Sequence, residues 1–173
     1  ASGAMNAVIV TLGTGIGGGI VMGGQLQRGA NGFAGEIGHM VVQHNGELCV
    51  CGRRGCWERY ASGSALRMLS GGMSGEEVFA AAESGDDYAQ SVVAAFADWV
   101  AVGLASLTNI CDPEVIVIGG GVVQSFEFVL ESVSKSFSAA LYSSESRPHP
   151  ALHIAALGER AGAIGCALFM TQG

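Results

Sequence analysis

Charge is scarce in this sequence: 13% of its 173 residues are charged, with 8 Lys and Arg against 15 Asp and Glu. That scarcity excludes two classes. Disordered chains combine low hydrophobicity with high charge, whereas 49% of these residues are hydrophobic. A nucleic-acid binder needs clustered Lys and Arg to neutralise phosphates. Here those residues are scattered and the net charge is -7, with a pI near 4.9, so the acidity reads as a solubility feature. No basic leader followed by an apolar run and a small-residue cleavage site opens the sequence, so the expectation is a cytoplasmic chain. The most membrane-like stretch, residues 91–111, carries Asp98 and Trp99 near its middle. A carboxylate there would cost about 2.5–3.5 kcal/mol in a bilayer, so the stretch reads as a core helix and no membrane partner is expected. No repeat or flexible linker divides the chain. A single domain of this length can bury roughly 70% of its unfolded surface.

Short β-branched and apolar runs place buried strands at residues 7–12, 115–118 and 152–156. Residues 20–22 and 26–28 flank Gly23-Gly24, a two-residue hairpin signal, and a further strand is expected at residues 39–43. Helices are expected over residues 57–69, 74–83, 87–109, 126–142 and 161–170. Ser74 with Glu77 has the form of a capping box, and Asp112-Pro113 ends the longest helix. Three meandering strands followed by alternating helices and strands predict an α/β domain: a mixed sheet covered by helices.

Five glycines occupy seven positions over residues 13–19, directly after a strand. Such a loop can turn backbone amides inward onto a phosphate, and Thr14 can add a hydroxyl. A ligand-free glycine hairpin has the same pattern. Dinucleotide and Walker loops both lead into a helix, and this one leads into a strand without a Lys at its end. Gly119-Gly120-Gly121, between a later strand and helix, is a natural partner for it, because α/β sheets bind ligands at the carboxyl ends of their strands.

The five cysteines fall into two groups. Cys111 and Cys166 sit singly among apolar residues, as core cysteines do. Cys49, Cys51 and Cys56 crowd a polar, Gly-rich loop downstream of His39. One imidazole and three thiols make a complete tetrahedral set for a structural zinc, leaving no open position for catalysis. Free thiols are the alternative, and a Cys49–Cys51 disulfide would close a strained ring. Gly52 and Gly55 supply the bends. Glu36 and Glu58 flank the set, and two carboxylates on a stiffened loop suit a polyol ligand. Solvated loop acids would look the same.

Taken together, Gly35-Glu36-Ile37-Gly38-His39 and Cys49-x-Cys51-Gly52-x-x-Gly55-Cys56-Trp57-Glu58 resemble the signature of the ROK family of bacterial sugar kinases and repressors. The glycine loop and the segment over residues 112–121 follow in that family's order. The whole chain is similar to the second lobe of the family's kinases, the actinobacterial glucokinase branch in particular, which the stretch over residues 146–150 also resembles.

The resemblance implies an actin-like, ribonuclease H-like ATPase fold with sugar and ATP in a cleft between two lobes. By position it gives sugar contacts to Glu36, His39 and Glu58. Structural zinc goes to His39, Cys49, Cys51 and Cys56. Nucleotide contacts go to Gly13, Thr14, Gly15, Gly17, Gly18, Gly120 and Gly121. ATP with Mg2+ would be co-substrate, glucose the first candidate hexose, and a homo-oligomer, dimer or tetramer, the expected assembly. N-acetylmannosamine, fructose and allose are alternatives, as is polyphosphate as donor. The family's Asp-x-Gly-Gly-Thr loop and Asn-Asp pair, which supply the catalytic base and a second phosphate-binding element, are absent from this chain. The expectation is therefore that residues 1–173 form one lobe, that the catalytic lobe lies upstream, and that this chain alone is inactive. A leading helix-turn-helix upstream would instead make it the ligand-sensing lobe of a repressor. The joint Gly71-Gly72-Met73 is shorter than the family's usual variable segment.

Overall fold

The structure, a computed structural model, describes residues 3–122, 127–158, 161, 164 and 165. In strand β1 (Ala7–Leu12), Val8, Val10 and Leu12 are fully buried while Ile9 and Thr11 between them are not. This is the period of two that turns alternate side chains to opposite faces. Strand β2 (Ile16–Met22) returns antiparallel to β1 and leads through Gly23-Gly24 into the short strand β3 (Gln25–Leu26). Both turn glycines have positive φ, 59° and 75°, as a tight hairpin requires. Strand β4 (Val115–Gly119) lies parallel to β1 and β5 (Ala151–Ile154) parallel to β4, giving one mixed sheet in the order β3-β2-β1-β4-β5.

The first helical segments are α1 (Glu58–Ala61) and α2 (Gly63–Leu69). They are followed by α3 (Gly75–Glu83), α4 (Asp87–Cys111) and α5 (Glu127–Ala140). Both arms of the predicted capping box are made: Ser74 N–H donates to Glu77 Oε2 at 2.7 Å and Glu77 N–H to Ser74 Oγ at 3.2 Å. Among the described residues α4 is the one helix long and apolar enough to cross a membrane. Its Phe96, Val100 and Leu104 are fully buried and join Val10, Ile116 and Ile118 of the sheet and Val129 and Val133 of α5 in one cluster. Asp112, in the left-handed region at φ 42°, ends the helix just before Pro113.

Three expectations need correction. Residues 39–43 form no sheet strand: Ile37–His39 is a single 3-10 turn, and Val41 only bridges Cys56. Ile37 and Gly38 are buried against β2, where a side chain on Gly38 would strike the Ile16 carbonyl, so packing overrides the β-branched pair Val41-Val42. The helix expected over residues 57–69 breaks at Ser62, which is extended (ψ 170°) and caps Ala65 N–H. Gly63 N–H donates instead to Gly13 O at 2.7 Å. Finally, the glycine loop is shorter than residues 13–19, because β2 already begins at Ile16 and pairs Gly17 with Thr11 and Gly18 with Val10. The closing helix expected at residues 161–170 lies outside the described residues apart from 161, 164 and 165, and so does Cys166. Cys111 is half-buried at the end of α4.

Trp57 fixes the chain between the cysteine loop and this core. It is fully buried, its Nε1–H donates to Trp99 O at 2.7 Å, and its ring lies where a Cβ on Gly103 would stand. Overpacking of this kind costs about 1–3 kcal/mol, more than the ~1 kcal/mol that Ala gains over Gly in a helix. Gly103→Ala is therefore expected to lower stability in a urea titration. An unchanged midpoint would mean that the Trp57 ring can move aside.

Candidate functional site

The cysteine loop is a knuckle held by its own backbone. Cys49 N–H donates to Arg53 O (2.8 Å), Gly52 N–H to Cys49 O (2.9 Å) and Gly55 N–H to Glu47 O (2.9 Å). Gly52 and Gly55 have φ of 85° and 84°, a region side chains rarely enter, and a Cβ on Gly55 would strike Gln43 O. The 3-10 turn brings His39 to this knuckle. One ligand atom from each of His39, Cys49, Cys51 and Cys56 lies within 4.8 Å of all the others. Cys51 Sγ and Cys56 Sγ are 3.6 Å apart, and His39 Nδ1 is 3.7 Å from Cys49 Sγ. A tetrahedron with metal–sulfur bonds of 2.3 Å has edges of roughly 3.8 Å, so these two separations suit a tetrahedral cation, and the four donors match one in number and type.

Burial pushes the Cys49 thiol up to about 12 and raises Cys56 as well. The Arg53 backbone N–H, aimed at its sulfur, brings exposed Cys51 down to about 7.

Glu36 and His39 share a hollow of about 630 Å³ with Phe33, Met40, Cys51 and Arg53. His39 Nδ1 faces the thiols, so Nε2 is the nitrogen left for a ligand. Glu58 stands apart from that hollow, between the knuckle and the glycine turn. Its Oε1 accepts from the Cys49 thiol at 2.9 Å and lies 3.8 Å from His39 Nδ1. Its Oε2 faces Gly15, where a Cβ would come within 2.7 Å. Only 14% of the Glu58 side chain is exposed.

The two glycine turns meet at the carboxyl ends of β1 and β4. Thr11 pairs with Gly119, and Gly120, at φ 99°, sits where a Cβ would strike the Leu12 carbonyl. Gly13, Thr14 and Gly121 line a second hollow, of about 520 Å³. Its other walls are Gly63, Ser64 and Arg67 of α2 and Gly75, Glu76 and Phe79 of α3. Ser64 Oγ donates to Thr14 O at 2.7 Å and locks the turn onto α2. Of the glycines singled out in the sequence, Gly15 lies against Glu58, while Gly17 and Gly18 lie in β2 and do not line this hollow. Gly18 gives room to Ile37, whose side chain occupies the space of a Cβ there. The α2 and α3 walls escaped the sequence reading. The Ser62-Gly63-Ser64 triplet is the helix-start signal that could have found α2.

A model of the ROK family matches residues 1–173. The chain belongs to the ROK family. It is 35% identical to a glucokinase of Streptomyces coelicolor over 184 residues, covering 94% of this chain and 58% of that one. A xylose repressor of Bacillus subtilis is 32% identical over 164 residues, 92% of this chain and 42% of the other. A crystal structure of a ROK family glucokinase from Streptomyces griseus, in complex with glucose and AMPPNP, superposes with a TM-score of 0.93 at 38% identity. That match covers 99% of this chain and 62% of the other. The fold is therefore that of the ROK sugar kinases, an actin-like ATPase domain, and the chain spans less than two thirds of the length of these relatives.

Metal capture by this ROK chain must displace thiol protons. Titration with Zn2+ or Co2+ is expected to saturate at about one ion per chain, with affinity falling steeply as the pH drops below 7. Cys51→Ser should weaken uptake at least tenfold. Equal uptake by the Ser variant would sink the four-donor centre.

Proposed function

We propose that this chain is the nucleotide- and sugar-binding lobe of an ATP-dependent hexose kinase, with glucose as the first candidate substrate. One juxtaposition carries the reading. Glu58 links a tetrahedral thiol–imidazole centre to a glycine turn that lines a nucleotide-sized hollow, with Glu36 and His39 in a second hollow on the same centre. The similarity to a kinase solved with glucose and AMPPNP supports it.

In this reading a structural zinc is held by His39, Cys49, Cys51 and Cys56, and it supplies local folding energy to a loop with little apolar packing of its own. With Nδ1 on the metal, His39 carries its proton on Nε2 and donates to a sugar hydroxyl. Glu36 and Glu58 accept from hydroxyls. Once Cys49 is a thiolate it no longer donates to Glu58, and that carboxylate is released towards the sugar.

The glycine turns at Gly13, Thr14, Gly15, Gly120 and Gly121 receive the phosphates of ATP, whose Mg2+ shields the transferring charge. Gly17 and Gly18 serve the site indirectly, by letting the Gly35–Gly38 stretch pack on β2. The base that deprotonates the attacking hydroxyl belongs to a second lobe, and this chain alone is expected to show no glucose-dependent ATP turnover. In this reading the protein works in the cytoplasm, as a dimer or tetramer. The second reading, the ligand-sensing lobe of a repressor, has the xylose repressor similarity in its favour. It requires a helix-turn-helix and no turnover by the protein carrying both lobes.

Removing one charge-assisted hydrogen bond costs about 1.5–3 kcal/mol, or roughly 10- to 100-fold in affinity. Glu58→Gln is expected to weaken glucose binding by that factor in calorimetry and to leave ATP-analogue binding intact. Equal losses of both ligands would count against the assignment.

A further inference from the structure

Arg53 has a donor-rich side chain whose one interaction among the described residues is electrostatic, a downward pull on the Cys56 thiol. Among the described residues its guanidinium makes no hydrogen bond or ion pair, whereas neighbouring Arg54 donates to Gly46 O at 3.2 Å and Arg59 to Met68 Sδ at 3.4 Å. The Arg53 carbonyl, in contrast, is fixed by Cys49 N–H, so the base of the side chain is rigidly placed on the knuckle. Arg53 lines the same hollow as Glu36 and His39. Phe33, 75% exposed and outside the core cluster, lines that hollow as well.

The chemistry of a hexose gives both residues a purpose. Each hydroxyl donates one hydrogen bond and accepts others, and the ring oxygen only accepts. Glu36 and Glu58 are acceptors alone, and His39 with one nitrogen on a metal offers a single N–H. Of the groups of this chain assigned to the sugar, His39 is then the single donor, which leaves oxygen lone pairs open to a further donor from the same hollow. A guanidinium presents five N–H donors in a planar fork that matches two adjacent oxygens. The apolar C–H face of a pyranose suits an aromatic wall.

We propose that Arg53 and Phe33 are substrate-specificity residues: Arg53 donates to a pair of neighbouring sugar oxygens, and Phe33 packs on the apolar face of the ring. The inference rests on the sugar-site reading above and extends it to residues outside the carboxylate and imidazole set. It makes the knuckle itself part of the sugar site, so the loop that binds metal also reads the hydroxyl pattern.

The test is calorimetric titration of glucose and of the series of monodeoxyglucoses into the protein and its Arg53→Gln, Phe33→Ala and Arg54→Gln variants. Metal content and ADP binding are measured on each. Arg53→Gln is expected to weaken glucose at least tenfold, with metal content and ADP affinity unchanged, and Arg54→Gln, which removes the same charge from the same loop, to bind glucose normally. At least one deoxy analogue should bind the wild type poorly and the Arg53→Gln variant no worse than glucose, a pairing that a purely structural role cannot produce. Unchanged glucose affinity in Arg53→Gln, or equal discrimination of every analogue by both proteins, overturns the inference and leaves the sugar site standing. Failure of the wild type to bind any hexose removes the sugar site and the inference with it.

Discussion

The burial of Trp57 is the constraint from which the rest of the site follows. Its ring is fixed on both sides, by the Trp99 carbonyl and by the space over Gly103, and its backbone N–H donates to Met40 O at 2.8 Å. Cys56, one of the four clustered donor residues, precedes it, and Glu58 follows it. A fully buried side chain in the middle of three consecutive residues thus sets the position of one metal donor and one carboxylate at the same time. The Met40 contact extends that control to the 3-10 turn carrying His39. Aromatic burial of this size is worth several kcal/mol, enough to hold a polar loop whose own hydrophobic contacts are few.

The glycines divide by function in a way their spacing does not reveal. Gly13, Gly15, Gly120 and Gly121 stand at the carboxyl end of the sheet, where two turns meet. Gly17, Gly18, Gly35 and Gly38 instead form a crossing: a Cβ on Gly18 would meet Ile37, one on Gly35 would meet the Gly18 carbonyl, and one on Gly38 the Ile16 carbonyl. Close approach of the Glu36–His39 segment to β2 is what these positions provide. The composition of the segment over residues 13–19 therefore has two physical origins: a turn beside Glu58 in its first half and the crossing with residues 35–38 in its second.

Much of the fold was legible because local rules agreed with the global one. The Gly23-Gly24 hairpin, the Ser74 and Glu77 capping box and the 25-residue helix α4 each follow from short-range chemistry, and the cysteine knuckle follows from ligand type and spacing. The misreadings share a cause at long range. The Ser62 break depends on Gly13, some fifty residues upstream, accepting a bond from Gly63. The missing strand at residues 39–43 depends on Ile37 finding room over Gly18. Arg53 lay inside a motif that was read for its cysteines, and its place in one hollow with Glu36 becomes visible only once the knuckle is folded. Nothing in a linear spacing says which of two adjacent arginines faces a hollow and which is tied to its own loop.

Glu58 is the point at which the proposed sites become one. Its Oε1 accepts from a cysteine of the cation centre, and its Oε2 faces Gly15, next to Thr14, which lines the nucleotide-sized hollow. A carboxylate with both oxygens committed in this way cannot shift towards a sugar without changing its relation to the thiol, the glycine turn or both. Coupling between sites needs such a shared element with two discrete arrangements. In the proposed reading the arrangements differ by the proton on the Cys49 sulfur, which decides whether Glu58 accepts from that thiol or turns to a hydroxyl. A Cβ at residue 15 would come within 2.7 Å of Glu58 Oε2, so the carboxylate would have to shift from the place it now holds between thiol and turn.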